Sequence, residues 1–483
     1  MWDHEADVVI IGYGGAGSAA AMTAHDAGAK VLILEKTQSG GGNTRVSGGS
    51  IRTYVDKAKA IDYTHTLCEG ATDIDVIAAF IEESDDNADW VTRNGGTIIP
   101  SPGTLIQGFP RMAPGAAFAH VPGSDGIGPR LRVTGETTFY GLELWKFLAR
   151  NVEERKIPVL HSCPAQTLLR DSSGRIEGVL AQRAEGNRSV RIRARRGVVL
   201  ASGGFEFSRS LQLNYLGQEY IALGDPACTG DGVQMAIDVG ADLWHMGGVA
   251  ACFGYRFPDF DHTIGHKMPH AAYIYVDQLG RRFMDEPMTD MHTVWFHTSF
   301  IDPKTLRQPR VPSYVIFDES TRRQGTVGTT TVGTARDHYV WSRDNMTEID
   351  RGWITAAPTL EQLGARIGLD PPSLVSTVGL YNAACADGTD REFGRPSDTL
   401  LPLANSPFYA IKLWPTLLNT QGGPRHNARA EVLNTRGQPI SGLYCAGELG
   451  SLWNRIYPGG GNITEALACG RIAGRNAAAQ APR

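Results

Sequence analysis

Two short, unbroken apolar runs open the chain, Val8 to Ile11 and Val31 to Leu34. A run of four without alternation predicts a strand buried on both faces. The Ala-rich stretch between them predicts a helix. Helical spacing returns around 71–95, where Val76, Ala79, Phe80 and Ile81 share a face and Asn94-Gly95-Gly96 supplies a stop. It returns again from Gly141 to Arg155, with Leu142, Leu144, Trp145, Leu148 and Val152. From 158 the pattern is of strands: Pro158-Val-Leu-His, Thr167-Leu-Leu-Arg-Asp, Ile176 to Ala181 and Val190 to Ala194, with Ser-Ser-Gly and Glu185-Gly-Asn187 turns between. Gly197 to Leu200 is one more buried strand. Residues from about 249 to 403 carry aromatic and Pro-rich loops and a helical stretch near 360–384. Leu443 to Ala446 is a last buried strand. A helix follows from Asn462, with Ala466, Ala468, Gly470, Ala473 and Gly474 on it.

The turns carry the first chemistry. Gly12, Gly14 and Gly17 follow the first strand in the spacing G-x-G-x-x-G, with Gly15 and Ala16 between them. Gly12 permits a tight turn, Gly14 lets a pyrophosphate approach the backbone, and Gly17 lets helix and strand pack closely. The helix start offers unpaired N–H groups and a positive dipole end. Glu35 ends the second strand, where a ribose hydroxyl is gripped in a dinucleotide site. A lone glycine fingerprint is weak; one between strand and helix with an acid closing the next strand is specific. After Lys36, residues 37–50 are rich in Gly, Ser and Thr, which suits contact with a long polar ligand.

At 483 residues the chain exceeds one core and predicts two or three domains. The net charge of −5 argues against a general nucleic-acid or membrane-surface binder. Seven scattered cysteines contain no C-x-x-C, so no zinc, iron–sulfur or attached haem site is expected, and a reducing cytoplasm fits. His262, His266, His270 and His292 lack a completing acid or Cys cluster and are read as non-metal residues. No apolar run is long enough for a membrane span, and no basic region precedes the first one as in a signal peptide. Arg111, His120, Arg130 and Arg132 fall in a Gly/Pro-rich stretch, 100–135, read as a loop near the substrate. Each is taken as a surface or structural residue.

Gly12 to Glu35, followed by Gly42-Asn-Thr-Arg-Val-Ser-Gly-Gly49, resembles the flavoprotein superfamily of fumarate reductases and 3-ketosteroid dehydrogenases. The likeness extends through Gly197-Val-Val-Leu-Ala-Ser-Gly-Gly204, Thr229-Gly-Asp231-Gly, Gly442-Leu-Tyr-Cys-Ala-Gly-Glu448 and Tyr457-Pro-Gly-Gly-Gly-Asn-Ile-Thr-Glu465. It is strong at both ends and weak from 250 to 400. It implies an α/β fold: a discontinuous Rossmann-like FAD-binding domain, 1–248 and 404–483, with an inserted α+β capping domain, 249–403. It further implies FAD contacts at Asn43, Thr44, Ser47, Gly48 and Gly49, at Ala165, Ser202 and Gly203, near Asp231, and at Gly447 and Glu448 on the ribityl side. Asn462 and Ile463 would place a helix N-terminus at the flavin pyrimidine edge. No His lies between 36 and 50, where relatives with covalent FAD carry one, so non-covalent FAD is expected.

The same resemblance separates two chemistries. Fumarate reductases carry a His at the position of Asn419 and an Arg clamp in an Asn-Arg-Leu-Gly-Gly segment. Here Asn454-Arg455 continues Ile-Tyr-Pro-Gly-Gly-Gly, and Arg282-Phe-Met-Asp-Glu286 is followed by Pro-Met-Thr-Asp with no Arg. Tyr457-Pro-Gly-Gly-Gly461 instead resembles the Tyr-Pro-Gly-x-Gly of 3-ketosteroid Δ1-dehydrogenases, where the Tyr hydroxyl and Gly N–H polarise a ketone. An oxyanion-type pair of this kind stabilises a developing enolate. The implied function is an FAD-dependent oxidoreductase acting on a CH–CH bond beside a carbonyl. The bond belongs to a small apolar carbonyl compound such as a 3-ketosteroid, and the reaction is its desaturation or the reverse. Tyr457 and Gly461 are the polarising pair, and a second tyrosine acts as base, with Tyr140, Tyr255, Tyr273 and Tyr275 as candidates. The alternative is a reductase of an unsaturated acid such as fumarate or urocanate, using Arg455. From another class, an FAD-bound sensor without turnover would share the fingerprint. The electron donor or acceptor carries no second fingerprint and is unidentified.

Overall fold

The computed structural model describes residues 1–101, 115–183, 188–287 and 292–483. Arg111, the Glu185-Gly-Asn187 turn and the Met288-Thr-Asp290 segment lie outside the described residues.

The first sheet begins with strand His4–Ile11, buried from Ala6 onward. It pairs in parallel with Val31–Leu34 on one side and with the long strand Arg188–Leu200 on the other. Val159–Leu160 extends it beyond Val31–Leu34, and Pro439–Cys445 joins Arg188–Leu200 in parallel. The 443–445 segment therefore returns across more than 200 residues to the N-terminal sheet. Arg188–Leu200 has two roles: its first part pairs antiparallel with Ile176–Arg183, its end with His4–Ile11. That explains why the pattern changes from alternating to fully apolar along one strand.

Helix Gly15–Asp26 packs on this sheet, and the closing helix Gly461–Ala478 packs on that helix. The small residues of the closing helix permit backbone contact. A Cβ on Gly470 would lie 2.5 Å from the Ala16 carbonyl oxygen, and one on Gly474 2.2 Å from that of Ala20. The helical pattern around 71–95 is two helices, Ile74–Asp85 and Asn87–Arg93. The stretch expected as a loop over 100–135 contains strand Leu131–Thr134, which pairs with Ser50–Ile51 and Thr97–Pro100. Such short strands carry too few residues to show a period.

A second eight-stranded sheet, the cap sheet, lies mostly within 249–420. Its centre is the long strand Phe408–Thr420, flanked antiparallel by Val249–Phe257 and Ser313–Asp318. The expected division at 403/404 assigns this strand to the FAD domain. It pairs with Ser313–Asp318, Thr355–Ala357 and Val249–Phe257, and also in parallel with Ile221–Ala222, while Leu418 and Asn419 line the cleft. The cap also touches the FAD side directly: Gly333 N–H donates to the Val46 carbonyl at 2.8 Å, and Arg45 pairs with Asp337 at 3.0 Å. No helix among the described residues is long and apolar enough to cross a membrane. All seven cysteines are free.

Candidate active site

A deep cleft runs from the first strand–helix turn to the start of the closing helix, walled by both sheets. Its dinucleotide end follows from local sequence. Gly12 has φ +106°, and a Cβ there would stand 2.3 Å from the Ala201 carbonyl oxygen. A Cβ on Gly17 would stand 2.0 Å from the Gly12 carbonyl oxygen, so Gly17 is a packing residue under the cleft. Gly14 differs: the nearest protein atom to its Cβ position would be 3.6 Å away. Protein packing does not demand that glycine; it faces the cleft with Gly15 and Ala16 and leaves a backbone cradle at the helix N-terminus. This is where a pyrophosphate fits.

Glu35 is buried and held by the fingerprint itself. Its carboxylate accepts from the Tyr13 N–H at 3.1 Å and from the Thr37 N–H at 2.7 Å. Lys36 donates to Asp231 at 2.8 Å and to Thr229 at 2.7 Å, which brings residues nearly 200 apart to one rim. Ala165, Ser202 and Gly203 line the cleft beside them. Along the next stretch Gly42, Asn43, Thr44, Ser47, Gly48 and Gly49 all face the cleft. Asn43 donates to Glu448 at 2.9 Å and to Glu206 at 2.5 Å. Gly447, Glu448, Asn462 and Ile463 close the far wall. The walls fit an extended dinucleotide: glycine cradle, acid, hydroxyl-bearing middle and helix N-terminus, in that order.

Beyond Ile463 lies the end left for a substrate. Tyr457 lines it, and its hydroxyl accepts from the Asn462 N–H at 3.1 Å, at the N-terminus of the closing helix. Gly461 starts that helix but packs against Trp453, 2.6 Å from where its Cβ would be; Gly460 is the loop glycine on the cleft wall. Arg52 holds this loop from behind, donating to the Gly459 carbonyl at 3.0 and 2.7 Å and also to the Pro458 carbonyl.

Five candidate residues stand elsewhere. Tyr255 is fully buried in the cap core. Its hydroxyl donates to the Val327 carbonyl at 2.7 Å and contacts His266 Nδ1 at 2.6 Å. Burial pushes its phenol well above the usual range, so it is no accessible base. Tyr140 starts helix Tyr140–Glu154 and lies under the Arg132 guanidinium, 4.6 Å from its ring centroid, outside the cleft lining. Tyr273 and Tyr275 are buried in the cap core, and desolvation raises both phenols. Arg455 is exposed and stacks 5.6 Å over Trp295, outside the cleft lining.

Two residues that sequence reasoning set aside do line the substrate end: Arg130 and His292. His292 meets Tyr457 edge-on, ring centroids 5.1 Å apart. Its backbone is pinned, because its carbonyl accepts from the Ala251 N–H at 3.2 Å on the cap strand Val249–Phe257. No sequence pattern marked it, since Tyr457, which it meets, is 165 positions away. The other three histidines have separate surroundings: His262 stacks on His338 at 4.0 Å, His266 lies between Tyr255 and Tyr275, and His270 is beside Thr321.

Fold and cleft together define an FAD flavoprotein oxidoreductase. The chain belongs to the family described as FAD binding domain, whose model matches residues 7–464. It is 29% identical over 500 residues to the fumarate reductase (cytochrome) of Shewanella frigidimarina, covering 98% of this chain and 77% of that one. It is 27% identical over 508 residues to the vinyl phenol reductase of Lactiplantibacillus plantarum (strain ATCC BAA-793 / NCIMB 8826 / WCFS1), covering 98% and 96%. To the NADH:fumarate oxidoreductase of Klebsiella pneumoniae (strain 342) it is 28% identical over 492 residues, 98% of this chain but only 48% of the relative, so it spans about half that protein's length. Among solved structures, the 3-ketosteroid Δ1-dehydrogenase of Sterolibacterium denitrificans superposes with a TM-score of 0.83 at 23% identity, covering 99% and 100%, which shows a shared fold. The 3-ketosteroid-Δ4-(5α)-dehydrogenase of Rhodococcus jostii RHA1 gives 0.74 at 26% identity, covering 99% and 98%. These relatives are FAD-dependent oxidoreductases acting on carbon–carbon bonds.

Proposed function

We propose that this enzyme desaturates, or in reverse reduces, the carbon–carbon bond next to a single carbonyl group. The carbonyl oxygen sits between the Tyr457 hydroxyl and the backbone N–H at Gly460, the glycine on the cleft wall, rather than at Gly461. Bound FAD supplies or accepts the hydride at the far carbon. The observation that carries the reading is Tyr457 in the cleft at the helix N-terminus, its oxygen already accepting the Asn462 N–H. A phenol oxygen that accepts one bond keeps its own proton, so Tyr457 can serve as a donor to a substrate oxygen. The helix dipole favours negative charge at this place, as an enolate needs.

The carbon next to the carbonyl must lose a proton on desaturation and gain one on reduction. We assign this transfer to His292, the titratable side chain in edge contact with Tyr457, in place of the second tyrosine. Arg455 lies outside the cleft, so a two-arginine dicarboxylate clamp has no support here. A second reading, reduction of an unsaturated monocarboxylic acid, is favoured by Arg130 on the cleft wall.

Anaerobic addition of a 3-ketosteroid to the oxidised protein tests the first reading. Bleaching of the flavin band, slowed about 100-fold or more in Tyr457→Phe, supports it. Flavin that ignores the steroid, but is reoxidised after dithionite by an unsaturated monocarboxylic acid, moves the assignment to the second.

A further inference from the structure

At the cleft wall lies an acidic pair, one member buried and one half-buried, that hydride transfer does not use. Glu448 faces the cleft, and Glu206 stands behind it with no exposure. One carboxylate oxygen of each, together with Cys228 Sγ, lie within 4.8 Å of one another. A single amide group joins them: Asn43 Nδ2 donates to Glu206 at 2.5 Å and to Glu448 at 2.9 Å. The amide orientation is fixed, because Asn43 Oδ1 accepts from the Asp225 N–H at 2.7 Å. The groups facing the pair from other elements are Thr420, whose hydroxyl is 3.5 Å from Glu206, and Asp225, Cys228 and Glu465. None is a cation, and no ion pair to either carboxylate occurs among the described residues. Packing around Glu206 is close: a Cβ on Gly204 would stand 2.5 Å from its Oε2.

We propose that Glu206 and Glu448 hold one proton between them when FAD is bound, and that Glu206 is a positioning residue that makes FAD affinity depend on this proton. Two desolvated carboxylates this close do not both ionise, because nothing nearby balances the second charge. Burial raises both carboxyls, Glu206 to about 7 and Glu448 well above its ordinary value. FAD covers the water-facing side of Glu448. Double ionisation is therefore harder with FAD in place than without it, and binding weakens once the pair loses its proton. The inference rests on FAD occupying the cleft and is independent of the substrate.

The test dilutes the FAD-loaded protein at pH values from about 6 to about 10 and reads released flavin by fluorescence. The wild type is expected to lose affinity by up to about tenfold per pH unit over part of this range, the limit for one linked proton. Glu206→Gln keeps the shape and the Asn43 contact; it is expected to bind FAD comparably at about pH 6 and to be flat above it. A protonated-carboxyl infrared band at about pH 8 that is stronger in the wild type than in Glu206→Gln is the second expected result, since buried Glu465 adds the same band to both. The wild-type slope does not depend on any variant folding. A flat wild-type profile, an equal slope in both proteins, an unchanged infrared band, or one equivalent of tightly bound divalent cation in the purified protein would each overturn the proposal.

Discussion

Replacing Arg52 with Met withdraws the support behind the Tyr457 loop. Arg52 is 2% exposed, and its guanidinium bonds two loop carbonyls, those of Pro458 and Gly459. A hydrogen bond from a charged donor contributes about 1.5–3 kcal/mol, so two unpartnered carbonyls lose about 3–6 kcal/mol together. Removing a desolvated charge offsets roughly half of this. The net loss of about 1.5–3 kcal/mol falls on the loop that aims Tyr457 and Gly460, which corresponds to a rate lowered about 10- to 150-fold. The assay is single-turnover flavin bleaching or reoxidation by stopped flow, at matched FAD content, with a melting curve beside it. Arg52→Lys, which reaches one carbonyl, is expected to fall between. An Arg52→Met protein with wild-type rate and melting temperature would refute the reasoning.

The two glycines of the fingerprint should separate. Gly17→Ala drives a Cβ into the Gly12 carbonyl and is expected to lower both melting temperature and FAD content. Gly14→Ala meets no protein atom closer than 3.6 Å and should melt like wild-type apoprotein while losing most of its flavin absorbance. Retained flavin in Gly14→Ala would remove the pyrophosphate from that cradle. Glu465 is fully buried and its carboxyl is pushed up to about 8, despite bonds from Ser451 Oγ at 2.6 Å and the Leu452 N–H at 2.7 Å. An acid whose folded pKa is raised contributes stability that is full below about pH 4.5 and lost as pH rises towards about 8. Glu465→Gln should flatten that decline in denaturant titrations at several pH values, and an unchanged decline would sink the assignment. His292→Gln is expected to keep its FAD and to lose turnover about 100-fold, with a changed pH–rate profile. An unaltered profile would return the proton transfer to another group.

What the sequence determined by itself lies within short stretches. Strand, glycine turn and helix are contiguous from His4 to Asp26, so period and glycine spacing define the dinucleotide cradle without knowledge of the rest. Glu35, the 42–49 segment and the 457–463 segment stand out for the same reason, since each is marked by residues next to one another in sequence. The tertiary structure decided which side chains meet. Tyr140, Tyr255, Tyr273 and Tyr275 are equal as letters; burial in the cap core withdraws three, and the Arg132 contact places the fourth outside the cleft. Arg455 reads as a clamp beside its motif, yet it stacks on Trp295 at the surface. His292 gains its place only because a cap strand fixes its backbone opposite Tyr457. Glu206 meets Glu448 through Asn43, from three parts of the chain. Such contacts depend on how two sheets close on one cleft, and no local periodicity encodes that.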